Sequence, residues 1–564
     1  MTLDVATATS VTGAAVHTFS WPSWRRARRS ALAMSLALTA TLAPVGPVAA
    51  TAMGGQATAT GAFLEEEWGD DDTYEDEQAS RFDGTWKADH DQGSLYWITK
   101  HYGAHDAWGK SAPNGGKVTG RGVTVAVIDT GVAKVPGLDL PGKVIDGPDL
   151  SYDSQRAGTR YVDGYGHGTH MAAIIAGRDA SVPVGGENDA KHFVGVAPDA
   201  RILNVKVGAS DGGADVSQVI AGIDWVVAHR NDNGMNVRVI NLSYGTLSQQ
   251  SAAVDPLARA VENAWKKGVV VVASAGNDGA AAARLAMPAE DPYLIAVGAV
   301  DHRGTEDLKD DRVAGFSNAG NSARRPDLLA PGKSVVSLRV PGSDADRHHP
   351  AGRVTGDVAG RYFRGSGTSQ ATAVVSGAAA LLLQARPTMT PDQVKALLRV
   401  SADKLVSYPS PAMGSGVLDI KGALDTSTPS VNTARQVWTA STGLGTLEAS
   451  RGGDNVVDPS NGRSLTGEVD ALGAPFDAAR WVAASTAGTA WVGGTWNGRT
   501  WTGSAWTSTG WAPAGWTGTS WSGQDWATRT YSSDTFLARS WRGEQFLARS
   551  WRGSTWLARS WRGF

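Results

Sequence analysis

Short apolar runs alternate with amphipathic stretches between about residues 96 and 425. The runs are rich in β-branched residues, which is typical of strands buried on both faces of a parallel sheet. They cover residues 123–128, 201–207, 237–242, 269–275 and 294–300. Apolar residues recur at helical spacing over 217–229 and 257–267, and Thr390-Pro391-Asp392-Gln393 has the form of a capping box with proline at the first helical position. This alternation predicts an α/β domain with a mostly parallel sheet flanked by helices.

The first 95 residues are predicted to form two segments that precede this domain. A basic cluster at 24–29 comes before an apolar run at 31–42 and then small residues with prolines up to residue 52, which is the pattern of a signal peptide. That run is shorter than the roughly 20 residues needed to cross a bilayer, so a secreted or cell-surface protein is expected. Residues 53–95 are rich in Gly, Ala and acidic residues, and we interpret them as an acidic prosegment or linker.

The chain after residue 425 returns to Ser, Thr, Gly and Asp, and residues 426–490 are predicted to be a linker of low order. From Trp491 to Trp561 an aromatic residue stands at every fifth position. A period of five fits neither a continuous helix nor a continuous strand. Residues 491–564 therefore form a repeat tail, either a solenoid around a buried aromatic column or an exposed adhesive ladder. Rows of exposed aromatics usually mark a partner surface, which favours the second interpretation, with a cell wall or glycan as the partner.

The amino-acid composition excludes several kinds of partner and catalytic group. The 52 basic and 55 acidic residues leave a formal charge of −3, which argues against a nucleic-acid partner. The absence of cysteine excludes disulfides, thiolate metal sites and a cysteine nucleophile. Any nucleophile must therefore be a serine, a threonine or another side chain. The protein is expected to be a monomer.

Three polar residues lie at predicted ends of strands and helices. Asp129 ends the first apolar run, His167 lies at the start of a small-residue helix, and Ser369 precedes an Ala-rich helix. Each alone is more often structural, as a turn carboxylate, a capping imidazole or an N-cap serine. In the chain order Asp, His, Ser they match the subtilisin arrangement of the catalytic triad.

The contexts of these residues resemble the subtilisin-like serine protease family, the subtilases. Val125 to Gly131 resembles the family's Asp motif, His167-Gly168-Thr169-His170 its His motif, and Gly367-Thr368-Ser369 its Ser motif. The resemblance spans about residues 96–425 and implies the subtilisin-like three-layer fold. It also implies a secreted serine endopeptidase that hydrolyses polypeptide substrates through an acyl-enzyme intermediate. In that chemistry Ser369 is the nucleophile, His167 the general base, and Asp129 the group that orients the imidazole.

The same resemblance assigns binding residues. Ala275-Gly276-Asn277 is similar to the family's oxyanion motif, which makes Asn277 the side-chain donor. Residues 240–245 resemble the segment whose backbone pairs with an extended substrate, so Ser243, Tyr244, Gly245 and Gly276 are substrate-binding candidates. The alternative for these residues is an ordinary strand-end turn.

Two departures from the family pattern affect the expectations. Gln370-Ala371-Thr372-Ala373 stands where the family commonly has Met-Ala-Ser/Thr-Pro. A polar insert at 178–193 replaces a segment where many relatives carry a calcium loop. The family requires no cofactor for catalysis. A structural calcium ion is compatible with the family, but the sequence assigns no ligands to it, and no metal-ligating residue is predicted.

A second class of function stays open. The chain is alternatively a surface-adhesion protein, in which the peptidase domain is mainly a scaffold or acts only in self-maturation.

Overall fold

The computed structural model describes residues 85–155, 159–305, 307–453, 455–458 and 463–500. The predicted signal peptide at 1–52, most of the acidic segment at 53–95, and the repeat tail after residue 500 lie outside the described residues.

Twelve α-helices are present in the described residues. They are α1 Leu95–His101, α2 Ala104–Gly109, α3 His167–Ala176, α4 Val216–His229, α5 Pro256–Lys266, α6 Asp344–His348, α7 Thr368–Ala385, α8 Pro391–Ser401, α9 Ile420–Asp425, α10 Val431–Ala434, α11 Leu447–Arg451 and α12 Ala478–Ala487. Short 3₁₀ turns occur at Ala88–His90, Tyr152–Gln155, Asp232–Gly234, Pro350–Gly352 and Pro411–Met413.

Fifteen strands are present in the same part of the chain. They are β1 Thr124–Asp129, β2 Val144–Asp149, β3 Arg201–Lys206, β4 Val237–Leu242, β5 Val270–Ser274, β6 Ile295–Asp301, β7 Arg312–Val313, β8 Leu328–Pro331, β9 Val335–Leu338, β10 Tyr362–Gly365, β11 Val457–Asp458, β12 Arg463–Ser464, β13 Trp491–Val492, β14 Thr495–Trp496 and β15 Arg499–Thr500.

The main sheet has eight strands in the order β2-β3-β1-β4-β5-β6-β7, with β8 paired to β6. Every pair is parallel except β6 with β7. β1 and β5 are buried along their whole length, as expected for strands covered by helices on both faces. The five predicted strands and the helices α4 and α5 are confirmed to within two residues, and so is the capping box at Thr390 and Gln393.

Helix α7 occupies the centre of the domain. All of its residues except the last are buried. It packs against α3 and against the strands β4, β5, β6 and β8. Because most of its side chains are small, α7 can lie close to these neighbours on every side, and its N-terminal end carries Ser369.

The structure differs from the expectation of low order at residues 426–490. This segment contains α10, α11 and α12. Arg451, at the end of α11, is 1% exposed, and its Nε lies 2.6 Å from Oδ2 of Asp215, the N-cap residue of α4. Composition alone suggested a linker because few apolar residues are present. The segment is instead held to the peptidase domain by polar contacts such as this ion pair and by buried apolar side chains such as Leu447 and Trp481.

Asp224 in α4 is a second anchor for the C-terminal segment. Its carboxylate is 3% exposed and accepts hydrogen bonds from Trp481 Nε1 at 2.7 Å, Trp496 Nε1 at 3.0 Å and Ser485 Oγ at 2.6 Å. Burial raises the pKa of Asp224, while the hydrogen bonds from Ser485, Trp496 and Trp481 act in the opposite direction. The carboxylate therefore depends on residues 481–496 for its hydrogen bonds.

The aromatic repeat begins as a small antiparallel sheet. β13, β14 and β15 pair in sequence, and Trp491 lies opposite Trp496. Asn497 and Gly498 join two of these strands, both with positive φ, as a two-residue hairpin turn requires. The two-residue strands begin at residues 491, 495 and 499, so they repeat every four residues and the five-residue aromatic period is not in step with them.

The exposed rings favoured by the sequence are not found in this first part of the tail. Trp491 is 5% exposed and Trp496 is fully buried. Their indole N–H groups donate to Ala221 O and to Asp224. Burial of a tryptophan is favourable when its N–H donates a hydrogen bond, and α4 of the peptidase domain provides an acceptor for each of the two indoles. The remaining aromatic positions of the repeat lie outside the described residues.

No helix within the described residues combines the length and the apolar character that a membrane span requires.

Candidate active site

The predicted site residues lie at one edge of the main sheet. Asp129 ends β1, Ser243 directly follows β4, and Gly276 and Asn277 follow β5. β1, β4 and β5 are neighbours and run parallel, so their carboxyl ends meet at the same edge. This is the edge at which open α/β sheets place their ligands.

Asp129 and His167 are in direct contact. His167 Nδ1 lies 2.7 Å from Asp129 Oδ1 and 2.9 Å from Oδ2, and both side chains are fully buried. The carboxylate accepts a hydrogen bond from Nδ1, which fixes the ring and presents Nε2 as the atom that can accept a proton. The structure therefore brings together two of the three residues that the sequence predicts for the triad.

Asp163 holds the Asp129 and His167 segments in position, and the sequence analysis missed it. Its fully buried carboxylate accepts hydrogen bonds from the Gly166 and Thr169 backbone N–H groups at the start of α3, at 2.6 and 2.7 Å. It also accepts from Thr130 Oγ1 at 2.8 Å, next to Asp129. Burial raises the pKa of Asp163, while these hydrogen bonds act in the opposite direction. Gly166, not Asp163, is the N-cap residue of α3, so no capping signal in the sequence identifies Asp163.

Ser369 is the second residue of α7 and is 2% exposed. Its carbonyl oxygen accepts a hydrogen bond from Ser243 Oγ at 3.1 Å. Asn241 Nδ2 in turn donates to Ser243 Oγ at 3.0 Å, and Ser376 Oγ donates to Asn241 Oδ1 at 2.9 Å. This chain of hydrogen bonds ties the end of β4 to the first turns of α7. Ser243 thereby helps to position the segment that carries Ser369.

Asn277 has a defined amide orientation. Its Oδ1 accepts hydrogen bonds from Thr368 N at 2.8 Å and Thr368 Oγ1 at 3.0 Å. Because Oδ1 faces Thr368, the amide nitrogen Nδ2 faces away from Thr368. A Cβ atom placed on Gly367 would lie 3.3 Å from Asn277 Nδ2 and 3.7 Å from Ser369 N. The Asn277 amide and the Ser369 backbone N–H therefore border one small space that a side chain at position 367 would fill.

The other substrate-binding candidates lie around this edge, where Tyr244 is buried and Gly245 and Gly276 are partly exposed. The Tyr244 side chain is 1% exposed, and a Cβ on Gly245 would meet the Ala286 side chain. Gly276 has a φ of 111°, a conformation that favours glycine, and a Cβ there would collide with the amide of Asn318. Any direct role of these residues in peptide binding therefore rests on backbone groups.

Asn318 is a second residue that sequence reasoning missed. It is fully buried, its Oδ1 accepts from Asp278 N at 2.6 Å, and its Nδ2 donates to Arg284 O at 3.2 Å. Its own N–H donates to Gly276 O at 3.1 Å. Asn318 thus fixes the loop that carries Asn277. Nothing near position 318 in the sequence points to this role, because the contact joins segments 40 residues apart.

No group of three or more His, Cys, Asp or Glu side chains is placed to hold a metal ion within the part of the chain that the structure describes. In the insert at 178–193, Glu187 lies 2.9 Å from Arg178, and Asp179 lies 2.5 Å from Arg361. These two carboxylates therefore face guanidinium groups. His170, which follows His167 in its motif, is buried, and burial lowers its pKa to about 3.

Comparison with known proteins gives consistent results. The model of the subtilase family matches residues 120–435. Serine protease AprX of Bacillus subtilis (strain 168) is 37% identical over 317 residues, which cover 55% of this chain and 68% of that protein. Subtilisin BL of Lederbergia lenta is 34% identical over 306 residues, which cover 54% of this chain and 92% of that protein.

Among solved structures, the prenylagaramide maturation protease PagA is 26% identical with a TM-score of 0.42, over 57% of this chain and 97% of that one. A cold-adapted subtilisin-like serine proteinase is 32% identical with a TM-score of 0.38, over 53% of this chain and 88% of that one. The family model covers more than half of the chain, and the fold has the expected parallel sheet and flanking helices. The chain therefore belongs to the subtilase family of serine peptidases, hydrolases that act on peptide bonds.

Proposed function

We propose that Asp129, His167 and Ser369 form the catalytic triad of an endopeptidase. Ser369 Oγ attacks the carbonyl carbon of the peptide bond, and its proton passes to His167 Nε2. Asp129 keeps the imidazole oriented and stabilises the cation that forms. The observation that carries this proposal is the buried contact between His167 Nδ1 and Asp129 at the carboxyl edge of the sheet. The position of Ser369 in the first turn of α7 supports it, because helix N-termini favour developing negative charge.

We infer that Asn277 Nδ2 and Ser369 N bind the oxyanion of the tetrahedral intermediate. Both groups border the space at Gly367, and the hydrogen bonds from Thr368 to Asn277 Oδ1 keep the amide turned toward it. Donors that are fixed before the reaction stabilise the developing charge without reorganisation. Ser243, Tyr244, Gly245 and Gly276 would bind the peptide on either side through their backbone, which suits substrates of varied sequence.

Active-site labelling tests the nucleophile. The purified protein should react with a fluorophosphonate probe and hydrolyse casein, and Ser369→Ala should abolish both. Ser366→Ala is the matched control, because Ser366 directly precedes the Ser motif and its Oγ accepts a hydrogen bond from Ser334 N at 2.8 Å. If labelling survives in Ser369→Ala but is lost in Ser366→Ala, the nucleophile is Ser366 and the assignment to Ser369 is wrong.

We propose further that the protein is exported and that the repeat tail attaches it to a surface. The support is the basic and apolar pattern of residues 1–52 and the unbroken aromatic period of the tail. A chain that ends at residue 500 is the sharpest test, because it keeps Trp491 and Trp496 in their contacts with α4. Compared with the full chain, it should hydrolyse casein equally well but lose retention on cell walls.

Equal retention of the two chains on cell walls would contradict attachment through the tail. Retention by the full chain together with an absence of casein hydrolysis would favour the adhesion function over the peptidase function.

A further inference from the structure

Gln370, the residue after Ser369, is a buried amide that the fold leaves unpaired. Its side chain is fully buried. Within the described residues, neither Oε1 nor Nε2 has a hydrogen-bond partner. Buried polar groups are nearly always paired, because a lost hydrogen bond to water is not otherwise replaced. An exception beside the predicted nucleophile calls for an explanation.

The same helix contains a glutamine that the fold does satisfy. Gln384, also buried, accepts hydrogen bonds from Thr119 N at 2.8 Å and Gly120 N at 2.6 Å through Oε1. Its Nε2 donates to Asn114 Oδ1 and Lys117 O. The described part of the chain therefore provides four hydrogen-bond partners for Gln384 and none for the side chain of Gln370. The two glutamines also differ in position, since Gln370 directly follows Ser369 and Gln384 lies near the other end of α7.

Gln370 borders the space between the two oxyanion donors. A Cβ atom placed on Gly367 would lie 3.0 Å from Gln370 Oε1, closer than to Asn277 Nδ2 or Ser369 N. The two ends of a carboxamide have the same shape, and a half-turn of χ3 exchanges them. Because neither end is held by a partner, the amide can turn its Nε2 toward this space at little cost.

We propose that Gln370 is a further substrate-contacting residue, whose Nε2–H donates a hydrogen bond to the scissile carbonyl oxygen as that oxygen becomes negative. This inference rests on the proposed triad. In the acylation step the bond between Ser369 Oγ and the carbonyl carbon forms, the hydroxyl proton moves to His167, and the π electron pair moves onto the oxygen. Gln370 exchanges no proton. It obtains its missing partner only when the substrate is bound.

The test replaces Gln370 by methionine, an unbranched apolar residue of similar length. Because Gln370→Met removes one hydrogen bond to the developing oxyanion, kcat on a peptide substrate should fall about 10- to 100-fold with KM nearly unchanged. In the inactive Ser369→Ala background the same change should raise the urea midpoint of unfolding, because an unpaired buried amide is lost.

Gln384→Met is the matched control. It removes a glutamine whose hydrogen bonds are all made, so it should lower the urea midpoint and leave kcat unchanged. A peptide aldehyde provides a second readout, because its adduct with the serine places an oxygen where the oxyanion forms. Its affinity should weaken in Gln370→Met by the same factor as kcat/KM. Gln370→Asn keeps the amide but shortens it, and should reproduce the loss of kcat if the methionine variant fails to fold.

Three outcomes would overturn the inference. They are an unchanged kcat in Gln370→Met, an unchanged aldehyde affinity despite a lower kcat, and a lower urea midpoint with normal kcat, which is the signature of a purely structural role. Failure of the unmodified protein to react with the fluorophosphonate would instead reject the proposed function, so the two failures are distinguishable.

Discussion

Replacing Trp496 by phenylalanine tests whether the C-terminal segment stabilises the peptidase domain through Asp224. The change keeps an aromatic ring in a fully buried position and removes the N–H that donates to Asp224 Oδ2 at 3.0 Å. Trp491→Phe is the matched control. Its indole is almost as buried, but its N–H donates to a neutral acceptor, Ala221 O, at 2.8 Å.

The expected magnitudes follow from the acceptors. A hydrogen bond to an ionised carboxylate contributes about 1.5–3 kcal/mol, and one to a neutral group about 0.5–1.5 kcal/mol, so the difference applies above the raised pKa of Asp224. Both variants lose similar ring volume, so the cost of that loss largely cancels between them. Trp496→Phe should therefore lower the free energy of unfolding by ~1–2 kcal/mol more than Trp491→Phe does.

The assay is urea unfolding at pH 7 followed by circular dichroism, with every variant made in the Ser369→Ala background to prevent self-digestion. Asp224→Asn combined with Trp496→Phe completes a double-mutant cycle, which should give a coupling energy of about 0.5–3 kcal/mol. Equal losses in the two phenylalanine variants together with no coupling would refute the pairing with Asp224 as a source of stability.

Three further predictions concern buried carboxylates. Asp163→Ala should lower kcat about 10- to 100-fold with little change in KM, because the segment that carries His167 loses the carboxylate that holds it. Steady-state kinetics on a peptide substrate measures this, and an unchanged kcat would refute it. Arg451→Met leaves Asp215 buried without its cation and should cost ~3–5 kcal/mol in urea unfolding, so a loss below 1 kcal/mol would contradict it. Burial raises the pKa of Asp470 from 3.8 to about 6, so the folded chain keeps a proton that the unfolded chain releases between these values. The free energy of unfolding therefore falls by ~3 kcal/mol as pH rises from about 4 to 6, because the proton bound to Asp470 in the folded chain is lost. Urea unfolding measured at a series of pH values should show this fall in the unmodified protein and not in Asp470→Asn.

The peptidase domain could be predicted from the sequence because its information is local. Strands such as Val270–Ser274 are continuous apolar runs, and Thr390 to Gln393 is a complete capping signal. The positions of Asp129 and Asn277 at one sheet edge agree with the rule that the carboxyl ends of parallel strands meet at the same edge. These features need no knowledge of distant contacts.

The C-terminal segment could not be predicted in this way because its structure depends on distant partners. Arg451 is buried only because Asp215, 236 residues earlier, pairs with it. Trp491 and Trp496 are buried because α4 offers Ala221 O and Asp224 as acceptors. Nothing in the spacing of the repeat reveals those acceptors, so the exposed arrangement was favoured.

Asp163 and Asn318 were missed for a related reason. Each acts by holding backbone groups of loops that carry a site residue, and a single sequence does not show which loops approach one another. Gln370 was visible as a departure from the family pattern. Only its burial without a hydrogen-bond partner in the described part of the chain indicated a role.

The most direct measurement for the proposed peptidase mechanism is mass spectrometry of the protein after reaction with a fluorophosphonate. We predict one adduct per chain, located on Ser369, with loss of casein hydrolysis in proportion to labelling. An adduct on another residue, or full hydrolysis after complete labelling of Ser369, would contradict the mechanism.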